Sequence, residues 1–88
     1  MKDETKWKLI SFIISSQYRK KVLEILEAPK IPSKISKELK IDKAHISKTL
    51  KELEKEKLIQ CLTPNSIKGK LFVITTYGKD ILKEISKL

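Results

Sequence analysis

The sequence is poor in the residues that staple, bend or punctuate a chain: one cysteine, two glycines and three prolines in 88 residues. A lone Cys61 forms no internal disulfide, so the chain reads as intracellular and cytoplasmic, with no disulfide framework behind its fold. Cys61 and the single histidine, His45, fall in separate elements and neither has a neighbour of its kind. That excludes a zinc or soft-metal centre within one chain and leaves only a site shared between two copies. No glycine-rich phosphate loop and no Ser-His-Asp set is present, so no catalytic residue, no cofactor and no enzyme activity are expected. Long apolar runs are also missing. The run over residues 9–14 is broken by Ser11 and ends at Ser15-Ser16, far short of the roughly 20 residues that span a bilayer, and it lacks a signal-peptide cleavage pattern. No membrane partner is expected. Aromatics are only 6% of the chain, too few to form a platform for unpaired bases, which ranks RNA low among partners.

Acidic residues are outnumbered by basic ones, 11 to 20, for a formal charge of +9. Such a balance draws a protein toward polyanions, whether nucleic acid, an anionic surface or an acidic protein, with nucleic acid the leading candidate. Lysine wealth also accompanies AT-rich genomes and hot habitats, so charge alone does not decide. Hydrophobic residues make up 40% and are spread throughout, enough to fold the chain as one domain over residues 1–88, at a size where dimerisation adds useful stability.

Periodicity divides the chain. Residues 1–5 are polar and expected to fray. Trp7, Ile10 and Ile14 recur at three and four, with Phe12 and Ile13 widening the apolar surface, which predicts a helix over about 6–14; a surface strand is the alternative. Ser15 or Ser16 suits an N-cap for a second helix carrying Tyr18, Val22, Ile25 and Leu26 on one face and ending at Pro29. Residues 30–32 form an extended link with edge-strand character, and Ser33 is the next expected N-cap. Residues 33–58 then read as two short helices around the break Lys40-Ile41-Asp42. Ile35 and Leu39 mark the first apolar stripe, Ile46, Leu50 and Leu53 the second, and Asp42 is placed to cap the second helix by accepting from backbone N–H groups near Ala44 or His45. The period then changes. Residues 58–63 and 70–75 are rich in Ile, Leu, Val, Phe and Thr and are separated by Pro64, Asn65, Ser66 and Gly69, which predicts a hairpin. Thr75 caps a last helix with Ile81, Leu82, Ile85 and Leu88 on its apolar face.

The order is mainly α with a small β-hairpin, and a hairpin directly after a helix-turn-helix is the wing of a winged helix-turn-helix domain. From about residue 7 to 78 the sequence resembles the archaeal winged-helix transcriptional regulators related to the ArsR and MarR groups. The residues that carry the likeness are Ser15-Ser16-Gln17-Tyr18-Arg19 leading into Val22-Leu23, Ile35-Ser36-Lys37-Glu38-Leu39 with Ile41, and Ile46-Ser47-Lys48-Thr49-Leu50-Lys51-Glu52-Leu53 through to Leu58-Ile59. Ile74-Thr75-Thr76-Tyr77-Gly78 is similar to the Leu-Thr-x-x-Gly that closes the wing in such proteins. Lysine stands at 40 and 57, where these relatives usually place glycine. The resemblance implies double-stranded DNA as partner, with the helix over about 43–57 in the major groove and the wing over about 64–70 on the backbone or minor groove.

With Ile46 facing the core, 100° per residue turns Ala44, Lys48, Lys51 and Lys55 outward and puts His45, Ser47 and Glu52 on the flanks. By the resemblance, Lys43, Ala44, His45, Ser47 and Lys48 are the base-edge candidates, while Lys51 and Lys55 meet phosphates. Ser33, Lys34 and Lys37 begin the preceding helix, whose free N–H groups suit a phosphate. No acidic residue occurs between Lys57 and Lys79, so a tip bearing Lys68, Gly69 and Lys70 approaches a phosphate backbone without repulsion. Glu52, Glu54 and Glu56 read as a solvated face with local ion pairs. Excess apolar surface at both termini, Trp7, Ile10, Ile13 and Ile14 with Ile81, Leu82, Ile85 and Leu88, makes helices over about 6–14 and 76–88 the expected homodimer elements. A winged-helix adaptor that binds protein within the transcription machinery is the alternative function, and no small-molecule effector is legible.

Overall fold

The computed structural model describes residues 3–88, in the order α1 (Asp3–Ile14), α2 (Gln17–Ile25), α3 (Pro32–Leu39), α4 (Lys43–Lys55), β1 (Ile59–Cys61), β2 (Phe72–Ile74) and α5 (Thr76–Ser86). Of the stretch expected to fray, Met1 and Lys2 lie outside the described residues and the remainder begins α1. The run over residues 9–14 is helix, not strand. β1 and β2 pair antiparallel with Ile59 opposite Ile74 and Cys61 opposite Phe72. Lys30 adds a bridge on the outer edge of β2, exchanging two 2.9 Å hydrogen bonds with Phe72. The link thus has the edge-strand character its sequence suggested.

Helix starts show where local chemistry overrode the expected caps. Ile31, not Ser33, is the N-cap of α3, with Pro32 in its first turn. A proline at that position has no N–H to leave unsatisfied and a φ already helical, so it starts the helix one residue before the serine can cap it. α2 stops at Ile25, well before Pro29, and the carbonyl of Leu26 is taken by the amide of Ile74 at 2.9 Å. Ser16 is its N-cap by backbone geometry but makes no side-chain cap bond. Thr75 caps α5 as expected, accepting from the Gly78 amide at 3.0 Å.

Both lysines at usual glycine positions adopt the left-handed backbone, Lys40 with φ 56° and Lys57 with φ 62°. In each case the next amide reaches back five residues, Ile41 to the carbonyl of Ser36 at 3.1 Å and Leu58 to that of Leu53 at 3.0 Å. Ile41 and Leu58 are then buried in the core. These are Schellman-type closures, and their hydrogen bonds and buried apolar neighbours offset a left-handed cost of about 1 kcal/mol or somewhat more for each lysine.

One core joins every element. Ile10, Ile13, Val22, Leu23, Leu26, Ile35, Ile46, Leu53, Leu58, Ile59 and Ile81 are essentially inaccessible, each contributing on the order of 1.5–3 kcal/mol of burial. This corrects the expected dimer surface. Ile10, Ile13, Ile81 and Ile85 are buried within the chain because α1 packs on α2 and α5, and Leu82 is half-buried against the same cluster. Trp7, Ile14 and Leu88 remain outside, 56%, 50% and 69% exposed. Trp7 and Ile14, seven residues apart, lie within about 20° of each other on one edge of α1. Periodicity shows that an apolar surface is wide, not which part of it a neighbour covers.

The wing is closed at Thr75 and Gly78. Thr75 Oγ1 lies 2.8 Å from the Lys57 carbonyl oxygen and 3.0 Å from that of Leu58, while the Thr75 amide donates to Leu58 at 3.0 Å. Gly78, in the first turn of α5, sits against the same carbonyl: an added Cβ would lie 2.3 Å from Leu58 O and 2.7 Å from Ile74 Cγ1. The junction of α4 with β1 is thereby fastened to the junction of β2 with α5.

Candidate nucleic-acid interface

α4 is two-sided. Ile46, Thr49, Leu50 and Leu53 are buried, and Lys43, Ala44, His45, Ser47, Lys48, Lys51 and Lys55 are exposed. Apart from Lys43, about 60° from Ile46, the exposed set is one that the 100° projection turns outward or onto the flanks. Ser33, Lys34 and Lys37 on α3 and Lys68, Gly69 and Lys70 on the wing are exposed as well.

A groove of about 500 Å³ runs between α4, the start of α3 and the wing. Its walls carry Ser33, Lys43, Ser47, Lys51, Gly69 and Lys70, and Ile31, Pro32, Leu50 and Phe72 complete its apolar lining. Two consecutive helices and a wing further along the chain therefore converge on one basic cleft. Ala44, His45, Lys48 and Lys55 lie beyond its wall on the rest of α4, Lys34 and Lys37 lie further along α3, and Lys68 stands beside the groove on the wing. Two lining residues escaped the sequence reading, Glu54 and Ile67. Glu54 was legible, since Ser47, Lys51 and Glu54 follow one another at four and three. Ile67, 96% exposed, was signalled only by being the lone branched aliphatic residue in a polar loop.

The wing is shaped by its own polar side chains. Thr63 Oγ1 accepts from the Leu71 amide at 2.9 Å, the Leu62 amide donates to the Leu71 carbonyl at 2.7 Å, and Ser66 Oγ donates to the Lys68 carbonyl. Gly69 has φ 66°, and an added Cβ would meet only Ile31 Cγ2, at an ordinary 3.9 Å. Backbone conformation, not crowding, is what asks for glycine there.

α4 is held from behind by the chain's single arginine. Arg19 grips Glu52 with two bonds, Nη2 to Oε2 at 3.0 Å and Nε to Oε1 at 3.3 Å. Its Nη1 donates to the Phe12 carbonyl at 2.8 Å and to Ser15 Oγ at 3.1 Å, and the guanidinium carbon lies 4.0 Å from the centre of the Phe12 ring. Glu52 is thus not part of a solvated face of local ion pairs. Its carboxylate turns inward to a partner 33 residues away, which removes one negative charge from the basic surface. The Arg19 hydrogen bond, with smaller help from the charges of Arg19 and Lys48, holds the Glu52 carboxyl below its ordinary value near 4.5. A depressed carboxyl stabilises the fold above its unfolded pKa and loses that contribution as pH falls through the folded one. Arg19→Ala is expected to cost about 1–2 kcal/mol at neutral pH, with the difference from wild type shrinking below about pH 4; urea melts at the two pH values check both.

The start of α4 departs from its expected cap. Asp42 has the N-cap backbone, φ −64° and ψ 154°, but its side chain makes no cap bond and instead engages the ring Nδ1 of His45. That hydrogen bond is the main reason the Asp42 carboxyl lies below its usual range. Tyr18 of α2, half-buried as expected of a packing residue, meets the other side of His45 edge-on, with ring centres 5.4 Å apart.

Among the described residues no three of His, Cys, Asp and Glu gather in a way that would hold a metal ion. None of the described helices is long and apolar enough to cross a membrane.

No protein-family model and no curated protein match the chain. Solved structures do. ZitR from Lactococcus lactis in complex with DNA is 28% identical over 80% of this chain, with a TM-score of 0.68. MarR from E. coli in its apo form is 25% identical over 98% of the chain, with a TM-score of 0.75, and the match covers 69% of MarR. A MarR mutant complexed with operator DNA gives 25%, 98% and 0.74, with 66% of that chain covered. The chain spans about half the length of ZitR, 51% and 49% in two of its structures. These neighbours are MarR-type winged-helix transcription regulators, and the fold of this chain is the winged helix they share.

Proposed function

We propose that the chain is a sequence-specific, double-stranded DNA-binding transcription regulator acting in the cytoplasm. The observation that carries this reading is the convergence of α4, the start of α3 and a wing without carboxylates on one basic groove. The outer face of α4 enters the major groove, with Lys43, Ala44, His45, Ser47 and Lys48 toward base edges and Lys51 and Lys55 toward phosphates. Ser33, Lys34 and Lys37 meet the backbone from the start of α3, and Lys68, Gly69 and Lys70 meet the backbone or minor groove from the wing. The DNA held by ZitR and MarR supports this reading, and the motif order supports a place among the archaeal regulators related to the ArsR and MarR groups.

The active form is a homodimer whose interface is built from the exposed Trp7, Ile14 and Leu88, extending the buried cluster of α1 and α5 across a two-fold axis. Selection of bound duplexes from a random pool tests both parts. Enrichment of a pseudo-palindrome with half-sites about one helical turn apart is expected. A single asymmetric half-site would overturn the dimer, and recovery of no common sequence would overturn specific binding.

A further inference from the structure

The first turn of α4 carries an arrangement that the groove does not explain. Asp42 gives up its expected role at the helix N-terminus and its carboxylate takes Nδ1 of His45. Tyr18 closes on the ring from α2, so the imidazole is fixed on two sides even though its side chain is 59% exposed. The opposite ring nitrogen, Nε2, has no hydrogen-bond partner among the described residues, on a side chain that is mostly exposed. The pair is a contact between two mostly exposed side chains. Its effect is to orient one ring nitrogen outward on the element proposed to enter the DNA.

We infer that His45, in its protonated form, donates from Nε2 to an acceptor on DNA, and that Asp42 is a positioning residue that sets the ring's orientation and proton. The inference rests on the DNA-binding reading of α4. With Nδ1–H donated to the Asp42 carboxylate, a neutral ring leaves Nε2 an acceptor, while a protonated ring makes it a donor. DNA offers it acceptors of one chemistry from two sources, phosphate oxygens and the O6 and N7 edge of guanine. The protonated ring also adds a positive charge beside Lys43 and Lys48. The charged and titratable groups around it are Asp42, those two lysines, and Tyr18 from α2. Arg19, next to Tyr18, is already neutralised by Glu52. Histidine is the residue type whose charge changes between pH 5 and 8, and the chain has one.

The test is the affinity of the full chain for a mixed-sequence duplex of about three helical turns, measured from pH 8 to 5.5 at constant salt by fluorescence anisotropy. Wild type is expected to bind about tenfold more tightly at the acid end. His45→Gln is expected to show no gain between pH 8 and 5.5, whatever its affinity at pH 8. Asp42→Asn keeps an equally good N-cap residue, so α4 starts as before, yet without the carboxylate that orients the ring its acid gain is expected to be smaller. A His45→Gln protein that keeps the full gain, or an Asp42→Asn profile that overlays wild type, would overturn the inference. Binding that is firm but flat with pH overturns it while leaving the DNA reading intact, whereas no binding at any pH removes the DNA reading itself. Repeating the titration with a duplex free of G·C pairs separates the sources: loss of the gain assigns the acceptor to the guanine edge, and its retention assigns a phosphate.

Discussion

Gly78→Ala is expected to destabilise the chain by about 3 kcal/mol or more, lowering its melting temperature by roughly 12–24 °C for a domain of this size. The added methyl would lie 2.3 Å from a backbone carbonyl and 2.7 Å from Ile74 Cγ1, in a wall that has nowhere to retreat. Leu58 O already accepts from the Thr75 amide, and Leu58 itself is wholly buried, so α4 and β1 cannot move away without opening the core. Gly69→Ala is the informative control. Its φ of 66° carries the left-handed penalty, but an added Cβ meets nothing closer than 3.9 Å, so a loss of about 1 kcal/mol is expected. Urea denaturation of both variants checks the pair. A Gly78→Ala protein within about 1 kcal/mol of wild type would mean that the wing is not fastened as described.

Lys48→Ala combined with Lys70→Ala is expected to weaken duplex DNA binding by about 10- to 100-fold near 0.1 M salt, because it deletes one ammonium from α4 and one from the wing, both proposed to face DNA. Both side chains are exposed and neither makes an ion pair or side-chain hydrogen bond among the described residues, so stability should stay within about 0.5 kcal/mol of wild type for each. The log affinity against log salt should also become shallower by about 0.9 for each phosphate interaction removed. Lys83→Ala, on the far face in α5, should change neither quantity. Unchanged affinity in the double variant would move the function toward a protein-binding adaptor of the transcription machinery.

The two-sided pattern of α4 was legible because a helix repeats at a fixed angle: once Ile46 is assigned to the core, the exposure of Ala44, His45, Ser47, Lys48, Lys51 and Lys55 follows, while Lys43 and Glu54, exposed on the Ile46 half of the wheel, do not. The left-handed turns at Lys40 and Lys57 were legible only through the resemblance, since lysine itself gives no sign of a positive φ. Less could be read where a residue's fate depends on something distant. Ile10, Ile13, Ile81 and Ile85 look as available for a partner as Trp7 and Ile14 until α1 is seen lying on α5. Glu52 looks like one of three interchangeable carboxylates until Arg19 arrives from α2. Asp42 looks like a routine cap, because its choice of His45 over the backbone is set by a rotamer, not by sequence spacing. Nearly all the DNA-facing candidates could be picked out along the chain, but the groove they form with Ile67 and Glu54 required the hairpin to be folded back beside α4.

The central claim is that this basic groove binds duplex DNA, and the most direct measurement is equilibrium binding of the unmodified chain to a mixed-sequence duplex across a salt series from about 50 to 200 mM. Measurable binding is expected at the low end, with a straight, steep fall of log affinity with log salt, each neutralised phosphate contributing about −0.9 to the slope. Lys51, Lys55, Lys68 and Lys70 together are expected to supply several such phosphates. Undetectable binding at the lowest salt, or an affinity that does not change across the series, would contradict the claim.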